Sequence, residues 1–222
     1  HPTVLNGFEV FDDVNGNGYF DAVWIAGYGN SRPAQGVHDP IWARAVVIEK
    51  GDTTLAWVSL DFVGYFFDEV ERLREEIKDV VDVDLLMVSA THNHEGPDTV
   101  GIWGYDEGST GVDTEYMTWV RQEVIQAVKE AYDGRQEALA YVAKGESGGH
   151  PNSAITQSDG VANLIHDSRD PVVIDSEMRL LQFKDKADEN TLVTVINWGN
   201  HPESLCDKNS YISSDFVHYL RE

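Results

Sequence analysis

The chain has 222 residues, enough to bury a sizeable core in one large domain or two small ones. Sixteen Lys and Arg against 39 Asp and Glu give a formal net charge of −23; a field of that sign repels phosphate backbones, so nucleic acid is excluded as a natural partner and anionic membrane surfaces are disfavoured. The 41% hydrophobic content is ordinary for a folded protein, no run of about 18 apolar residues offers a transmembrane segment, and the single Cys206 rules out an internal disulfide framework or a Cys-rich zinc site.

In chain order, the first pattern is a loop. Asp13-Val14-Asn15-Gly16-Asn17-Gly18-Tyr19-Phe20-Asp21 follows the D-x-N-x-N-G-x-x-D register of EF-hand-like calcium loops. Asp13, Asn15 and Asn17 converge on an ion because Gly18 allows the sharp turn; Tyr19 adds its carbonyl and Asp21 acts at position 9. The usual closing Glu is replaced by Trp24, so a closing acid falls to Glu9 or Asp12, and an Asn-Gly turn without calcium is the competing reading.

Apolar runs at Ala45–Ile48, Leu55–Leu60, Leu85–Val88, Leu139–Ala143, Met178–Phe183 and Leu192–Ile196 read as strands. Several are nearly continuous in apolar character, as central strands covered on both faces would be. Between them, Val70, Leu73, Ile77 and Val80 predict a helix after an Asp68 cap, with Glu69, Glu71, Glu75 and Glu76 on its solvated face. Tyr116, Val120, Val124, Val128 and Ala131 predict a second, opened by Asp113-Thr114 and closed by Gly134. This alternation implies an α/β fold with a mixed, largely parallel central sheet and helices on both faces. The polar stretch from Gly145 to Asp170 is too long for an idle connection. Ser213 to Leu220 reads as a capped helix just starting; with a chain that opens on His1 and carries no signal-peptide pattern, the expectation is a piece of a longer protein.

Three strands run into polar residues at their C-terminal ends: Asp61-Phe62-Val63-Gly64, Thr91-His92-Asn93-His94-Glu95-Gly96-Pro97-Asp98, and Asn197-Trp198-Gly199-Asn200-His201-Pro202-Glu203. In open α/β sheets ligands bind beyond the strand C-termini. If these strands are parallel neighbours, Asp61, His92, His94 and His201 converge there. Residues at i and i+2 of an extended segment share a side, so His92 and His94 can face one ion, and imidazole suits Zn²⁺. An isolated HxH is more often plain polar loop; the third histidine tips the balance.

Gly27-Tyr28-Gly29, Gly36-Val37-His38, Ala43-Arg44-Ala45, Ser59-Leu60-Asp61, Ala90-Thr91-His92-Asn93-His94-Glu95-Gly96-Pro97 and Asn197-Trp198 with His201-Pro202 together resemble the neutral/alkaline non-lysosomal ceramidase family, in the family's order. The resemblance implies the N-terminal portion of a zinc hydrolase domain over 27–222, with 1–26 as a segment bearing the calcium-type loop. It implies a metal-activated water that cleaves the N-acyl bond of a ceramide-like lipid, and a secreted or periplasmic setting. It assigns His92 and His201 as zinc ligands and His94 as the histidine that contacts substrate or the reacting water. Arg169 falls where the family keeps a basic active-site residue, and Asp61 is a candidate partner for a metal-bound imidazole. The family's HTHSGPGG is HNHEGPDT here, which adds the carboxylates of Glu95 and Asp98 and admits a different amide or ester substrate.

Two other readings remain open. A calcineurin-like metallophosphoesterase shares GNH and HxH elements, but in the opposite order, and its other acidic motifs are missing. A secreted calcium-binding module would leave the histidines incidental. Nothing in the sequence sets the oligomeric state.

Overall fold

The computed structural model describes residues 2–3, 11–12, 22–149, 165–166, 173 and 175–222. The chain divides into two compact units, His1–Asp133 with Pro202–Glu222, and Gly134–His201.

In the first unit, β1 (Pro2–Thr3) pairs antiparallel with β2 (Phe11–Asp12), and β3 (Gly36–Val37) awaits a partner from the end of the chain. β4 (Ala43–Lys50) and β5 (Thr53–Leu60) form an antiparallel hairpin closed by Gly51-Asp52. Gly51 takes φ +61° there, which glycine adopts without strain. After α1 (Phe67–Ile77), β6 (Leu85–Ala90) returns parallel to β5, with Leu60 opposite Ala90. The long helix α2 (Thr114–Asp133) follows.

Period-2 burial in β5 puts Ala56, Val58 and Leu60 on one face, where they meet Leu73 and Ile77 of α1 and Val120, Val124 and Val128 of α2. Asp113 caps α2 as expected, its Oδ1 accepting the Glu115 and Tyr116 amides at 2.8 and 3.0 Å. At α1 the expectations need correction. The helix starts one residue before Asp68, with no side-chain cap at Phe66, and Val80 lies beyond its end, exposed. Glu69 is not on a solvated face: it is buried, and its Oε2 accepts from Arg121 of α2 at 2.7 Å.

In the second unit, β7 (Ala138–Glu146), β10 (Glu177–Asp185) and β11 (Thr191–Trp198) make an antiparallel sheet in the order β11-β10-β7. β8 (Gly148–Gly149) pairs parallel with β9 (Ile165–His166). Of this unit's described residues only Ser147 is buried; it donates to the Ser176 carbonyl and accepts from the Trp198 indole at 2.9 Å.

The returning segment closes the first unit. β12 (Tyr211–Ile212) pairs parallel with β3, and α3 (Phe216–Leu220) is capped by Asp215, whose side chain accepts from the Phe216 amide at 2.6 Å. The fold is therefore mixed α/β with several sheets, and antiparallel pairing takes a larger share than the apolar runs imply. In particular, β11 is not a parallel neighbour of β5 and β6: it belongs to the other sheet.

Candidate metal centre

The parallel β5–β6 pair delivers its two C-terminal loops side by side. The Thr91 amide donates to the Leu60 carbonyl at 2.9 Å and the Asn93 amide to the Phe62 carbonyl at 3.1 Å, extending the ladder past the strand ends. Between them His92 takes φ +62°. A left-handed non-glycine residue costs about 1–3 kcal/mol and persists where its surroundings over-determine it. Here the determinant is specific: His92 Nδ1 lies 2.6 Å from the Val63 carbonyl oxygen. A carbonyl can only accept, so Nδ1 carries the proton and Nε2 presents a lone pair.

Asn93, fully buried, shapes the turn. Its Oδ1 accepts from the Glu95 amide at 3.1 Å, and its Nδ2 donates to the carbonyls of Asp61 and Ser213 at 3.2 and 2.7 Å. His94 is buried beside it, its ring centroid 5.0 Å from that of His92 with planes at 80°. The His94 amide donates to the Pro202 carbonyl at 3.0 Å, and the Glu203 carboxylate stands 3.9 Å from its Nδ1. His201 is the junction residue, one peptide bond before that Pro202. The chain itself thus brings it to His92 and His94, and one ligating nitrogen from each of the three lies within 4.8 Å of the others. His92 and His201 are exposed while His94 is buried. Three imidazoles, one with its Nδ1 turned to a backbone carbonyl, are a donor set that fits zinc or a similar transition metal.

Asp61 closes the end of β5. Its buried carboxylate takes both arms of the Arg221 guanidinium at 2.6 and 2.8 Å, the Trp42 amide at 2.9 Å and the Thr91 hydroxyl at 3.4 Å. With Arg221 it forms a fork-to-fork ion pair that ties the end of β5 to the end of α3.

The carboxylates of the departing motif are both buried and both structural. Asp98 gathers four amides, from Val100 and Gly101 on Oδ1 at 2.9 and 2.8 Å and from Trp103 and Gly111 on Oδ2 at 3.1 Å each. Glu95 Oε2 accepts from Arg32 and from Asn209, each at 2.7 Å. Burial nevertheless pushes the Glu95 carboxyl up to about 7, against the lowering pull of Asn209 and Arg32. Burial, then Glu203, raises the Tyr28 phenol to about 12.

His38 Nδ1 donates to Asp39 Oδ2, 2.8 Å away, and Asp39 is otherwise held by Ser213 and Ser214. The Trp103 indole donates to the Tyr28 carbonyl at 3.3 Å, and Tyr105 is exposed. Arg169, His150 and the loop of Asp13, Asn15, Asn17, Tyr19 and Asp21 lie outside the described residues, and of His166 only the strand position is described. Reading by spacing missed Arg32, Asn209 and Arg221, each of which reaches a partner more than 60 residues away in sequence, which no local pattern announces.

The fold and motifs have known counterparts. Residues 12–219 match the family model described as neutral/alkaline non-lysosomal ceramidase, N-terminal. The chain is 25% identical over 209 residues to the neutral ceramidase of Pseudomonas aeruginosa, covering 87% of this chain and 30% of that protein. The crystal structure of neutral ceramidase from Pseudomonas aeruginosa superposes with a TM-score of 0.67 at 22% identity, over 88% of this chain and 32% of the other. A structure described as ceramidase complexed with C2 gives a TM-score of 0.63 at 22% identity, over 88% and 31%. With nearly all of its length matched by the family model, and about a third of the relatives' length spanned, the chain belongs to the neutral/alkaline non-lysosomal ceramidase family.

Proposed function

We propose that the protein acts, in its complete form, as a zinc-dependent hydrolase that cleaves the N-acyl amide bond of a ceramide-like lipid. The observation that carries this reading is the meeting of His92, His94 and His201 in a chain of this family. In it, residues 27–222 are the N-terminal portion of the catalytic domain, and His92 and His201 hold the metal. When bound, zinc lowers the pKa of a coordinated water to roughly 7 and polarises a carbonyl.

The protein's own groups supply the rest. His92 offers Nε2 to the metal because its Nδ1–H is committed to Val63. His94, buried and backbone-anchored, orients the scissile amide and handles a proton at the departing nitrogen, with the Glu203 carboxylate 3.9 Å from its Nδ1. Arg169 is assigned a substrate-binding role through family resemblance. A structural calcium in the Asp13–Asp21 loop and an exported, sphingolipid-metabolising protein complete the reading; among the described residues no helix is long and apolar enough to cross a membrane.

The test is release of free fatty acid from a short-acyl ceramide by the complete protein. His92→Ala and His201→Ala are each expected to lower kcat at least about 100-fold. Full activity in both, or hydrolysis of a phosphodiester in place of the amide, would overturn the proposal.

A further inference from the structure

Arg32 and Glu95 form an ion pair whose geometry is arranged around something other than itself. A pair optimised for its own strength joins two guanidinium nitrogens to two carboxylate oxygens. Here only Arg32 Nη2 reaches Glu95 Oε2, at 2.7 Å, while Glu95 Oε1 and Arg32 Nε are buried with no hydrogen-bond partner among the described residues. The remaining donors of Arg32 go to main-chain carbonyls: Ala26 at 3.0 Å, His94 at 3.4 Å from both Nη atoms, and Asn209 at 3.2 Å. Its guanidinium also lies over the Tyr28 ring, 5.0 Å from the centroid. Asn209 closes the arrangement by donating to Glu95 Oε2 at 2.7 Å.

All of these contacts converge on one side chain. The carbonyl of Ala26 fixes the entry to Gly27, which sits at φ +110° so close to the His94 imidazole that a Cβ would fall 2.5 Å from the ring. Tyr28 meets the same imidazole edge-on at 5.2 Å and is anchored by its hydroxyl, which donates to the Glu203 carbonyl at 2.9 Å. The His94 ring therefore leans on a wall of Gly27 and Tyr28, and Arg32, itself paired with Glu95, holds that wall at the Ala26 carbonyl and at the Tyr28 ring. Since buried ion pairs are weak sources of net stability, a role in holding geometry is the better account of this one.

We propose that Glu95 and Arg32 are positioning residues that fix the orientation of the His94 imidazole through the Ala26–Gly27–Tyr28 wall. The inference rests on the proposed function for its catalytic consequence, but the ring orientation itself is independent of it.

The double variant Arg32→Met/Glu95→Leu removes both charges together and leaves no orphaned ion; Glu95→Gln is the conservative control, keeping an acceptor for Arg32. Gly27→Ala presses on the ring directly with the pair intact. The primary readout is the His94 imidazole Cε1–H resonance in the metal-free complete protein at fixed pH, assigned by its loss in His94→Gln. Wild type and Glu95→Gln are expected to give one sharp resonance at the same position, and the double variant and Gly27→Ala a shifted or broadened one. Both altered variants are expected to lose about 10–100-fold in kcat on short-acyl ceramide, with KM and zinc content held within about threefold. An unchanged His94 resonance in the double variant overturns the inference. If the wild-type protein releases no fatty acid, the functional reading fails while the resonance still decides the positioning role.

Discussion

In the sheet of β4, β5 and β6, Ala56, Val58 and Leu60 are fully buried beneath α1 and α2, whereas in the sheet of β7, β10 and β11 Val142 is 82% exposed and Leu139, Tyr141 and Leu192 are open as well. Their polar residues differ in the same way. The first unit buries Asp39, Asp61, Asn93, Glu95 and Asp98, each with several partners; among the described residues of the second, the ion pairs lie on its surface. The contrast shows how a loop as polar as His92–Asp98 can hold one conformation. It is fixed from one side by a packed sheet end and from the other by the returning segment, through Pro202, Asn209 and Ser213. Polar groups cut off from water gain geometry at the cost of tolerance: each loses much if a single partner is removed.

That contrast can be broken by mutation. The largest effect is expected from Arg221→Met, which strands the buried Asp61 carboxylate and should cost about 3–5 kcal/mol in chemical denaturation. Asp61→Asn combined with it should recover more than half. Asp98→Ala comes next: four amides lose their shared acceptor, and a loss of about 3 kcal/mol is expected, with Asp98→Asn milder because its amide oxygen still accepts.

Glu95 sharpens the comparison through pH. Its folded pKa, about 7, lies above the ordinary 4.5, so the folded state binds more protons than the unfolded one between those values. The contribution of this group to stability is therefore fully present below about pH 4.5, falls as pH rises through about 7, and is flat above. The fall is at most about 3 kcal/mol, and Glu95→Gln should flatten it in urea midpoints measured at about pH 5 and about pH 8. The smallest effect belongs to the second unit: Lys186→Ala, which removes an exposed pair with Glu137, should leave the melting temperature unchanged within error. A drop comparable to that of Arg221→Met would erase the distinction between the two regions.

Much of this was legible in the residues, for physical reasons. α2 could be bounded because its cap, its 3.6-residue repeat and its closing Gly134 are all local signals. The HNH segment at the end of β6 could be singled out because strand ends beside a parallel partner are where polar side chains gather. The extended i, i+2 geometry does not describe its two histidines: His92 is left-handed, and the rings meet because Val63 holds one and Gly27 with Tyr28 the other. The sheet membership of β11 was not legible, since a short apolar run carries no record of its partner. Nor were the Asp61–Arg221 pair and the burial of Glu69, whose partners lie 160 and 52 residues away.

The central claim is that His92 and His201, far apart in sequence, serve one metal ion with His94 beside it. Metal content per chain, measured on the complete protein and on its His92→Ala and His201→Ala variants after identical purification, tests it most directly. The account predicts one zinc per chain in the wild type and its loss from both variants. Zinc retained in full by either variant, or a wild-type protein that binds none, would contradict it.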